Sequence, residues 1–388
     1  MADPTHRVEL DIEPELLVHV RSVIDDIRAG KMVILVDDED RENEGDLVFA
    51  AEKVTPEHIN FMAKFGRGLI CVTLTEDQVE RLELPMMQLP KWRGGPPLGT
   101  AFTLSIEARH GVTTGISAAD RARTIQVAID PDSTPEDVVT PGHVFPLKAK
   151  RGGVLVRTGQ TEGSVDLARL AGLSPAGVIC EIMNDHGTMA RLPDLEAFAR
   201  EHQLKILTIA DLIRYRLQTE RLVRRTYEAD LRLDQSGQPW RAVTYRTSVD
   251  EREFLALIKG QPDPESALCR MHRGSLLADL FSSTDSEGGR NLRAAIAQIE
   301  QAGAGVVVYI PSHAPLKDEL ERLTGNPAAS THHEGVTPGE RSLRQFGLGA
   351  QVLRELGLLK IRLLTNNPRK LVGIRGYGLE VIDTVALG

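Results

Sequence analysis

The sequence predicts an α/β (α+β) protein of two domains, the first at residues 1–217 and the second at residues 218–388. Its 388 residues exceed what one hydrophobic core usually supports. Short apolar runs of β type alternate with amphipathic stretches and with Gly and Pro, which is typical of layered α/β folds. Residues 218–238 are dense in charge and carry little apolar periodicity, so we place the boundary at their start.

The elements of the first domain follow from apolar runs between turn-forming residues. Strands are predicted at residues 32–36, 69–74, 153–157, 177–181 and 205–208. Helices are predicted at residues 16–29, 56–65 and 193–202, and residues 209–217 close the domain after its last strand. In the second domain we predict helices at residues 291–302 and 343–356, and strands at residues 305–310 and 360–364.

Composition and charge exclude several classes of protein. A formal net charge of -9 argues against general affinity for nucleic acid or for an anionic membrane. No apolar run approaches the ~20 residues that a membrane span needs, and the first residues lack a signal-peptide core, so we expect a cytoplasmic protein. The three cysteines are widely spaced and form no C-x-x-C pair, which excludes a disulfide framework and a thiolate zinc site.

The densest chemical signal is the acidic loop, DDEDRENEGD at residues 37–46, directly after the first predicted strand. So many carboxylates in one loop repel one another unless a cation or an arginine compensates them. Oxygen ligands in such number fit Mg²⁺ or Mn²⁺, which take one or two carboxylates together with water and substrate oxygens. A solvated acidic turn is the alternative that the spacing leaves open.

Three further segments carry candidate functional groups. Residues 157–162, RTGQTE, offer a guanidinium, hydroxyls and backbone N–H groups, which together suit a phosphate. His143 lies in the segment PGHVFPL, where a structural histidine in a turn is the alternative. Glu181 ends an apolar run, where partial burial would favour proton transfer; a solvated strand-end carboxylate is the alternative.

Together these segments resemble the 3,4-dihydroxy-2-butanone 4-phosphate synthase family over roughly the first 215 residues. Five motifs carry the resemblance in the same order: DDEDRENEGD, GVTTGISAADR, PGHVFPL, RTGQTEGSVDLARLAG and PAGVICEIMNDHGTMAR. The resemblance implies a lyase of riboflavin biosynthesis that converts ribulose 5-phosphate, a sugar phosphate, to the four-carbon phosphate and formate. It also implies Mg²⁺ (or Mn²⁺) as cofactor and a homodimer with composite active sites.

The resemblance also assigns roles to single residues. It implies His143 and Glu181 as catalytic groups, and Glu42 and Gln160 as metal ligands. The substrate-binding residues that it implies are Arg41, Glu42, Asp46, Arg157, Thr158, Gly159, Gln160, Thr161 and Glu181. Gln160 departs from the family pattern, which has a histidine there; its amide oxygen still suits a hard cation, so we expect function to be retained.

The second domain resembles GTP cyclohydrolase II, most clearly at residues 343–381. That family holds a catalytic zinc with three cysteines, and the matching positions here are Ser275, Ser286 and Gly288. Neither residue type replaces a thiolate on zinc, so we expect no zinc and a degenerate cyclohydrolase domain. Two alternatives stay open: a bifunctional enzyme with both activities, and a non-catalytic scaffold or regulatory subunit.

Overall fold

The computed structural model describes residues 14–38, 41–87, 100–233, 237–249, 253–283, 286–312, 316–323, 338–366 and 379–387. The main division of the chain into two compact units falls between Tyr215 and Arg216. The predicted boundary between residues 217 and 218 lies two residues further on. Each unit contains a mixed sheet with helices, and the α/β class that the sequence predicts is confirmed.

The first unit is built on one sheet within the described residues. Its strands are β1 (Val33–Val36), β2 (Gly45–Ala50), β3 (Cys71–Leu74), β4 (Ile106–Ala108), β5 (Val138–Lys148), β6 (Gly177–Glu181) and β7 (Ile206–Thr208). They lie in the order β4-β5-β3-β6-β2-β1-β7. Strands β1 and β2 are antiparallel neighbours, with Val36 opposite Gly45, so the acidic loop between them closes a hairpin at one end of the sheet.

The helices of this unit cover an apolar core. They are α1 (Pro14–Arg28), α2 (Pro56–Phe61), α3 (Glu76–Arg81), α4 (Ala118–Ile129), α5 (Gln160–Leu170), α6 (Leu192–His202) and α7 (Ile209–Thr219). Thr55, Thr75 and Ser117 cap α2, α3 and α4 by accepting hydrogen bonds from backbone N–H groups of the first turn. The core includes Ile34, Phe49 and Val72 from the strands, all of them fully buried.

The predicted strand at residues 153–157 is wrong. Residues Gly153–Leu155 form a 3₁₀ turn instead, since Gly152 and Gly153 adopt φ of 92° and 64°, which starts a turn rather than an extended chain. The Asp166 carboxylate accepts the Val154 N–H over 2.8 Å and holds this turn. The apolar run there is buried against α5 rather than in the sheet, and a short apolar run does not distinguish the two.

The second unit contains another mixed sheet within the described residues. Its strands are β8 (Val223–Arg232), β9 (Pro239–Thr247), β10 (Glu253–Lys259), β11 (Ala267–Arg273), β12 (Gly305–Ile310), β13 (Lys360–Leu364) and β14 (Glu380–Val385). The order is β14-β13-β11-β12-β10-β9-β8. Its helices are α8 (Leu276–Asp279), α9 (Gly288–Ala302), α10 (Leu316–Leu323) and α11 (Pro338–Glu355). The charged stretch after residue 218 thus includes β8, most of whose residues are exposed while it pairs with β9.

No helix among the described residues combines the length and the apolar character that a membrane crossing needs.

Candidate active site

The acidic loop is organised around the carboxylate of Asp37, a residue to which the sequence assigned no role of its own. Asp37 Oδ1 accepts the Glu44 N–H over 2.8 Å, and Oδ2 accepts the Glu42 N–H over 3.2 Å and Nη1 of Arg41 over 2.5 Å. Asn43 adopts φ of 54°, which turns the chain back toward β2. Glu39 and Asp40 lie outside the described residues.

Two arginines compensate the loop's negative charge. Arg41 is buried within it, with 2% of its side chain exposed, while Arg191 donates from outside to the carbonyl oxygens of Glu42 and Asn43. Arg191 belongs to the motif PAGVICEIMNDHGTMAR, 149 residues away from Glu42 along the chain, and sequence reasoning gave it no role. The described residues of the loop are therefore held by hydrogen bonds and ion pairs, unlike those of a solvated acidic turn.

Arg41 also joins the loop to the first residue of α5. Its Nη1 lies 2.9 Å from Oε2 of Glu42 and 2.9 Å from Oε1 of Gln160. The Gln160 amide nitrogen donates to the Glu44 carbonyl oxygen over 3.4 Å, which fixes the orientation of the amide. The structure thus brings together the two residues for which the resemblance implied metal ligation, with their oxygens directed at one shared cationic nitrogen.

The start of α5 forms a cationic corner beside the loop. Gly159 precedes the helix, and a Cβ at that position would lie 2.5 Å from Nη1 of Arg157 and 3.1 Å from Nη2 of Arg41. A side chain here would therefore displace the guanidinium groups that approach this glycine. The residues Arg157, Thr158, Gln160 and Thr161 are each at least 95% buried, so this corner is shielded from water.

Arg157 is held in this corner by an internal ion pair. Its Nη1 donates to Oε2 of Glu162 over 2.7 Å, and its Nη2 donates to Oγ1 of Thr100 over 3.2 Å. Burial raises the pKa of Glu162, and the guanidinium of Arg157 opposes that shift. Arg157 is therefore fixed in orientation by the residues behind it.

The carboxylates of Asp46 and Glu181 face each other across β2 and β6, which place them in register. Glu181 Oε2 accepts the Leu69 N–H over 2.8 Å. Burial raises the pKa of Asp46 well above its ordinary value, and the negative charges of Glu181 and Glu42 raise it further. Burial and the charge of Glu42 raise the pKa of Glu44 as well. This pocket therefore favours binding of a proton or a cation.

His143 is not part of this group. It lies on β5 with 44% of its side chain exposed, and its Nδ1 lies 2.7 Å from Oε2 of Glu107 on β4. Among the described residues, Glu107 is the hydrogen-bond partner of the imidazole, and no hydrogen bond joins the imidazole to the carboxylates around Asp46. The structure therefore brings together all the predicted site residues except His143. Sequence reasoning missed Glu107, whose only signal was its place in an apolar strand 36 residues before the histidine.

A separate cavity of about 700 Å³ lies elsewhere on this unit, lined by residues such as Gln78, Arg81 and Ile129. None of its lining residues belongs to the predicted site. Within the described residues, no group of three His, Cys, Asp or Glu side chains is arranged to hold a metal ion. An ion at the predicted site therefore needs the amide oxygen of Gln160, water or substrate in addition to carboxylate.

Both halves of the chain match families of known proteins. Residues 21–215 match the family described as 3,4-dihydroxy-2-butanone 4-phosphate synthase, and residues 224–386 match GTP cyclohydrolase II. The riboflavin biosynthesis protein RibBA of Aquifex aeolicus is 51% identical over 95% of this chain and 92% of its own length. The bifunctional riboflavin biosynthesis protein RIBA 1 of Arabidopsis thaliana, a chloroplast protein, is 45% identical over 98% of this chain and 70% of its own.

A solved structure is similar over most of the chain. The protein RibBX of A. baumannii, described as a two domain 3,4-dihydroxy-2-butanone 4-phosphate synthase, is 41% identical with a TM-score of 0.75. The match covers 95% of this chain and 99% of that protein. The chain therefore belongs to the 3,4-dihydroxy-2-butanone 4-phosphate synthase family, as an enzyme of riboflavin biosynthesis whose second domain belongs to the GTP cyclohydrolase II family.

Proposed function

We propose that the first domain converts ribulose 5-phosphate to 3,4-dihydroxy-2-butanone 4-phosphate and formate at the pocket between the acidic loop and α5, with the help of Mg²⁺ or Mn²⁺. The observation that carries the proposal is the convergence of Glu42 and Gln160 on Nη1 of Arg41, each over 2.9 Å. At this nitrogen, two segments that are far apart in the sequence bring a carboxylate oxygen and an amide oxygen close together.

The donor set supports a hard divalent ion. Carboxylate and amide oxygens are the ligands that Mg²⁺ prefers, and water or substrate oxygens complete its coordination. The raised pKa of Asp46 supports the same conclusion, because carboxylates crowded in a buried pocket are stabilised by added positive charge. Glu42 and Gln160 would hold the ion. When bound, it supplies charge that stabilises the negative charge developing on the substrate oxygens.

The residues at the start of α5 would bind the phosphate of the substrate. Arg157 offers a guanidinium whose orientation is fixed by Glu162, and Thr158 and Thr161 offer hydroxyls. The N–H groups of the first helical turn point toward the same corner, where the partial positive charge of the helix end favours an anion. The buried position of these groups strengthens each interaction with the phosphate.

The carboxylates of Asp46 and Glu181 would contact the sugar and transfer protons. Glu181 is held by the Leu69 N–H and borders the pocket at the end of β6, within reach of the solvent and the substrate. Asp46, with its raised pKa, retains a proton more readily than an ordinary carboxyl group and is suited to hydrogen bond with a substrate hydroxyl. Proton transfer by positioned groups contributes about 10²- to 10⁴-fold in rate.

His143 would act in the site of a second copy of the chain. Its exposure, together with its hydrogen bond to Glu107 rather than to the carboxylates around Asp46, supports a homodimer in which each active site takes the histidine from the other subunit. In that arrangement His143 serves as an acid, a base or a positioning group for the substrate.

The test of this function is formate release from ribulose 5-phosphate by the full-length protein with and without added Mg²⁺. We expect turnover with Mg²⁺ or Mn²⁺ and none after exhaustive EDTA treatment. Full activity in EDTA would overturn the proposed role of the metal. Absence of formate with either metal would favour the remaining hypothesis, a non-catalytic scaffold or regulatory subunit.

For the second domain we propose that zinc-dependent GTP cyclohydrolase activity is absent. The hydroxyl of Ser275 donates to the buried carboxylate of Glu319, and Ser286 accepts the Gly288 N–H over 3.1 Å. These hydrogen bonds occupy groups at the positions where the resembling family has zinc cysteines, and hydroxyls are poor substitutes for thiolates. The purified protein should contain no stoichiometric zinc and should release no formate from GTP. Stoichiometric zinc together with GTP turnover would instead establish a bifunctional enzyme.

A further inference from the structure

We propose that Glu107 is a positioning residue for His143, which fixes the imidazole with its proton on Nδ1 and leaves Nε2 free to accept a proton. The inference rests on the proposed function for the role of His143, whereas the tautomer itself is independent of that role. Glu107 lies on β4, opposite β5, and Nδ1 of His143 lies 2.7 Å from its Oε2.

The chemistry of the pair determines which nitrogen carries the proton. An ionised carboxylate only accepts hydrogen bonds, so a bond to Nδ1 requires a proton on that nitrogen. A neutral imidazole then has its lone pair on Nε2, at the exposed end of the ring. The same arrangement orients the base in hydrolytic triads, where a buried carboxylate holds the histidine in one tautomer.

The irregular pairing of β4 with β5 brings the side chains of Glu107 and His143 together. The ladder between β4 and β5 shifts register between Ile106 and Glu107: Ile106 pairs with Val144 and Glu107 pairs with Val139. The extra residues of β5 bulge out of the ladder at residues 140–143, and a bulge turns a side chain away from its regular direction. His143 is thereby placed beside Glu107 rather than beside its own strand neighbours.

The loop of the motif GVTTGISAADR covers the carboxylate. A Cβ at Gly115, which has φ of 91°, would collide with the Glu107 carboxyl group, so only glycine allows the loop to approach so closely. Asp120 fixes the loop by accepting the N–H and hydroxyl of Thr113, over 3.0 and 2.7 Å, and the Gly115 N–H over 3.0 Å. This gives the motif a function, which is to bury the group that orients His143.

Among the described residues, no competing hydrogen bond explains the burial of Glu107. The residue is 9% exposed, and its Oε1 is buried without a hydrogen-bond partner among the described residues. A carboxylate buried only for stability would be expected to have both oxygens satisfied, because an unsatisfied buried acceptor costs about 1–3 kcal/mol. The hydrogen bond to His143 therefore explains why a buried carboxylate stands at this position despite the free-energy cost of its unsatisfied oxygen.

The tautomer is measured by ¹⁵N NMR of the full-length protein labelled with ¹⁵N-histidine, in the absence of substrate. The signals of His143 are identified by their loss in His143→Gln. We expect the proton on Nδ1 in the wild type and a mixture of tautomers in Glu107→Ala. We expect Glu107→Gln to disturb the tautomer as well, since its amide N–H can donate to Nδ1, as the acid-to-amide substitution does in hydrolytic triads.

Turnover is measured on the same proteins. Glu107→Ala should lower kcat about 10²-fold with KM changed by less than about threefold, because an orienting group affects the chemical step rather than binding. Glu107→Gln should also lower kcat by about 10²-fold or more, since an amide that donates to Nδ1 keeps the geometry but selects the wrong tautomer. A purely structural role would instead lower the melting temperature of both variants without changing the tautomer or kcat of the folded protein.

A matched pair of glycine variants separates the contact from backbone strain. Gly115→Ala places a methyl group against Glu107, whereas Gly172→Ala has a similar φ of 77° with nothing within 4 Å of the added atom. We expect Gly115→Ala to disturb the tautomer and lower kcat, and Gly172→Ala to do neither. The proposal is overturned if wild-type His143 carries its proton on Nε2, or if Glu107→Ala keeps both the wild-type tautomer and kcat. Absence of formate release in the wild type would reject the proposed function and leave the NMR result unaffected.

Discussion

Arg41 donates a hydrogen bond from Nη1 to Oε1 of Gln160 over 2.9 Å, across 119 residues of sequence, and so fixes the acidic loop against the start of α5. Because the Gln160 amide oxygen accepts a hydrogen bond from a guanidinium, its lone pairs are not all available to a metal ion. The oxygen that would ligate Mg²⁺ is the oxygen that Arg41 holds, so the ion must share it with the guanidinium or displace the guanidinium from it.

The first prediction concerns Gln160. Gln160→His should keep activity or improve it at low Mg²⁺, because the imidazole supplies a ligand without an amide oxygen bound to Arg41. Gln160→Leu should raise the Mg²⁺ concentration needed for half-maximal activity at least about tenfold, since the loss of a ligand or of its support weakens metal sites by 10- to 100-fold. Formate release is titrated with Mg²⁺ at saturating ribulose 5-phosphate.

The control for this series is Gln126→Leu, which alters an exposed glutamine on α4. Superimposable Mg²⁺ curves for the wild type and both Gln160 variants would show that Gln160 only joins the loop to the helix. In that case, changes would appear in KM or in the melting temperature, because the bond to Arg41 is lost in either variant.

The second prediction concerns the carboxylates of the chemical step. Glu42→Gln and Glu181→Gln should each lower kcat by about 10²- to 10⁴-fold, since each substitution keeps the shape of the side chain but removes its charge and its capacity to accept a proton. Glu196→Gln, an exposed glutamate on α6, is the matched control and should leave kcat unchanged. A folded variant with near-normal kcat would remove that residue from the mechanism.

The site could be predicted from the sequence only where its residues form contiguous motifs. Residues 37–46 and 157–162 were predicted as segments of the candidate site because each concentrates its chemistry within a few positions. Glu107 and Arg191 were missed because their partners lie 36 and 149 residues away, and neither position stands out from its neighbours in the sequence. Such long-range pairs become visible only when the register of the strands is known.

The strands, too, were predicted only in part from the sequence. Strands β1, β3 and β6 were predicted within two residues of their observed starts, because a buried strand reads as a continuous apolar run. Strand β2 was not predicted, since Gly45 and Asp46 were read as the end of the acidic loop although they pair with β1. The run at residues 153–157 was assigned to a strand because burial against a helix and burial in a sheet select the same apolar residues.

The third prediction concerns Asp46 and the stability of the metal-free protein. A carboxyl group whose pKa is raised by folding ionises less readily in the native chain than in the unfolded chain, so the native state loses stability as pH rises above the ordinary pKa. Asp46→Asn removes this penalty. In EDTA, the variant should therefore melt at a higher temperature than the wild type at pH 7, with a smaller difference at pH 4.

Activity and added metal provide the control for Asp46. The variant should lose turnover, because stability gained by removing crowded charge is a common consequence of mutating an active site. Addition of Mg²⁺ should raise the melting temperature of the wild type more than that of Asp46→Asn. A variant that is less stable than the wild type at pH 7 in EDTA would contradict the assigned cost of the buried carboxyl group.

The fourth prediction tests the composite site. Glu42→Gln and His143→Gln should each be nearly inactive as homodimers, yet a mixture that exchanges subunits should recover up to about a quarter of wild-type activity, since about half of the dimers are mixed and each mixed dimer has one intact site. Size-exclusion chromatography establishes the dimer, and formate release measures the recovery. Sites formed within one subunit would give no recovery after exchange.

The last prediction concerns Asp120, which fixes the loop over Glu107. Hydrogen bonds from the hydroxyl and the N–H of Thr113, together with that of Gly115, lower the pKa of Asp120 to about 2, below its ordinary value of 3.8. A carboxyl group whose pKa is lowered by folding stabilises the native state above its ordinary pKa, and this stabilisation is lost as pH falls through the lowered value. Asp120→Asn should therefore be less stable than the wild type at pH 6.

The pH dependence distinguishes this effect from a general loss of packing. The difference in unfolding free energy between the wild type and Asp120→Asn should decrease as pH falls from about 4 to about 2, because the wild-type carboxyl group is then protonated too. Urea unfolding at a series of pH values measures this difference. The control is Asp132→Asn, because Asp132 is an exposed aspartate in the turn that follows α4. A difference that stays constant down to pH 2 would mean that the charge of Asp120 does not stabilise the loop over Glu107.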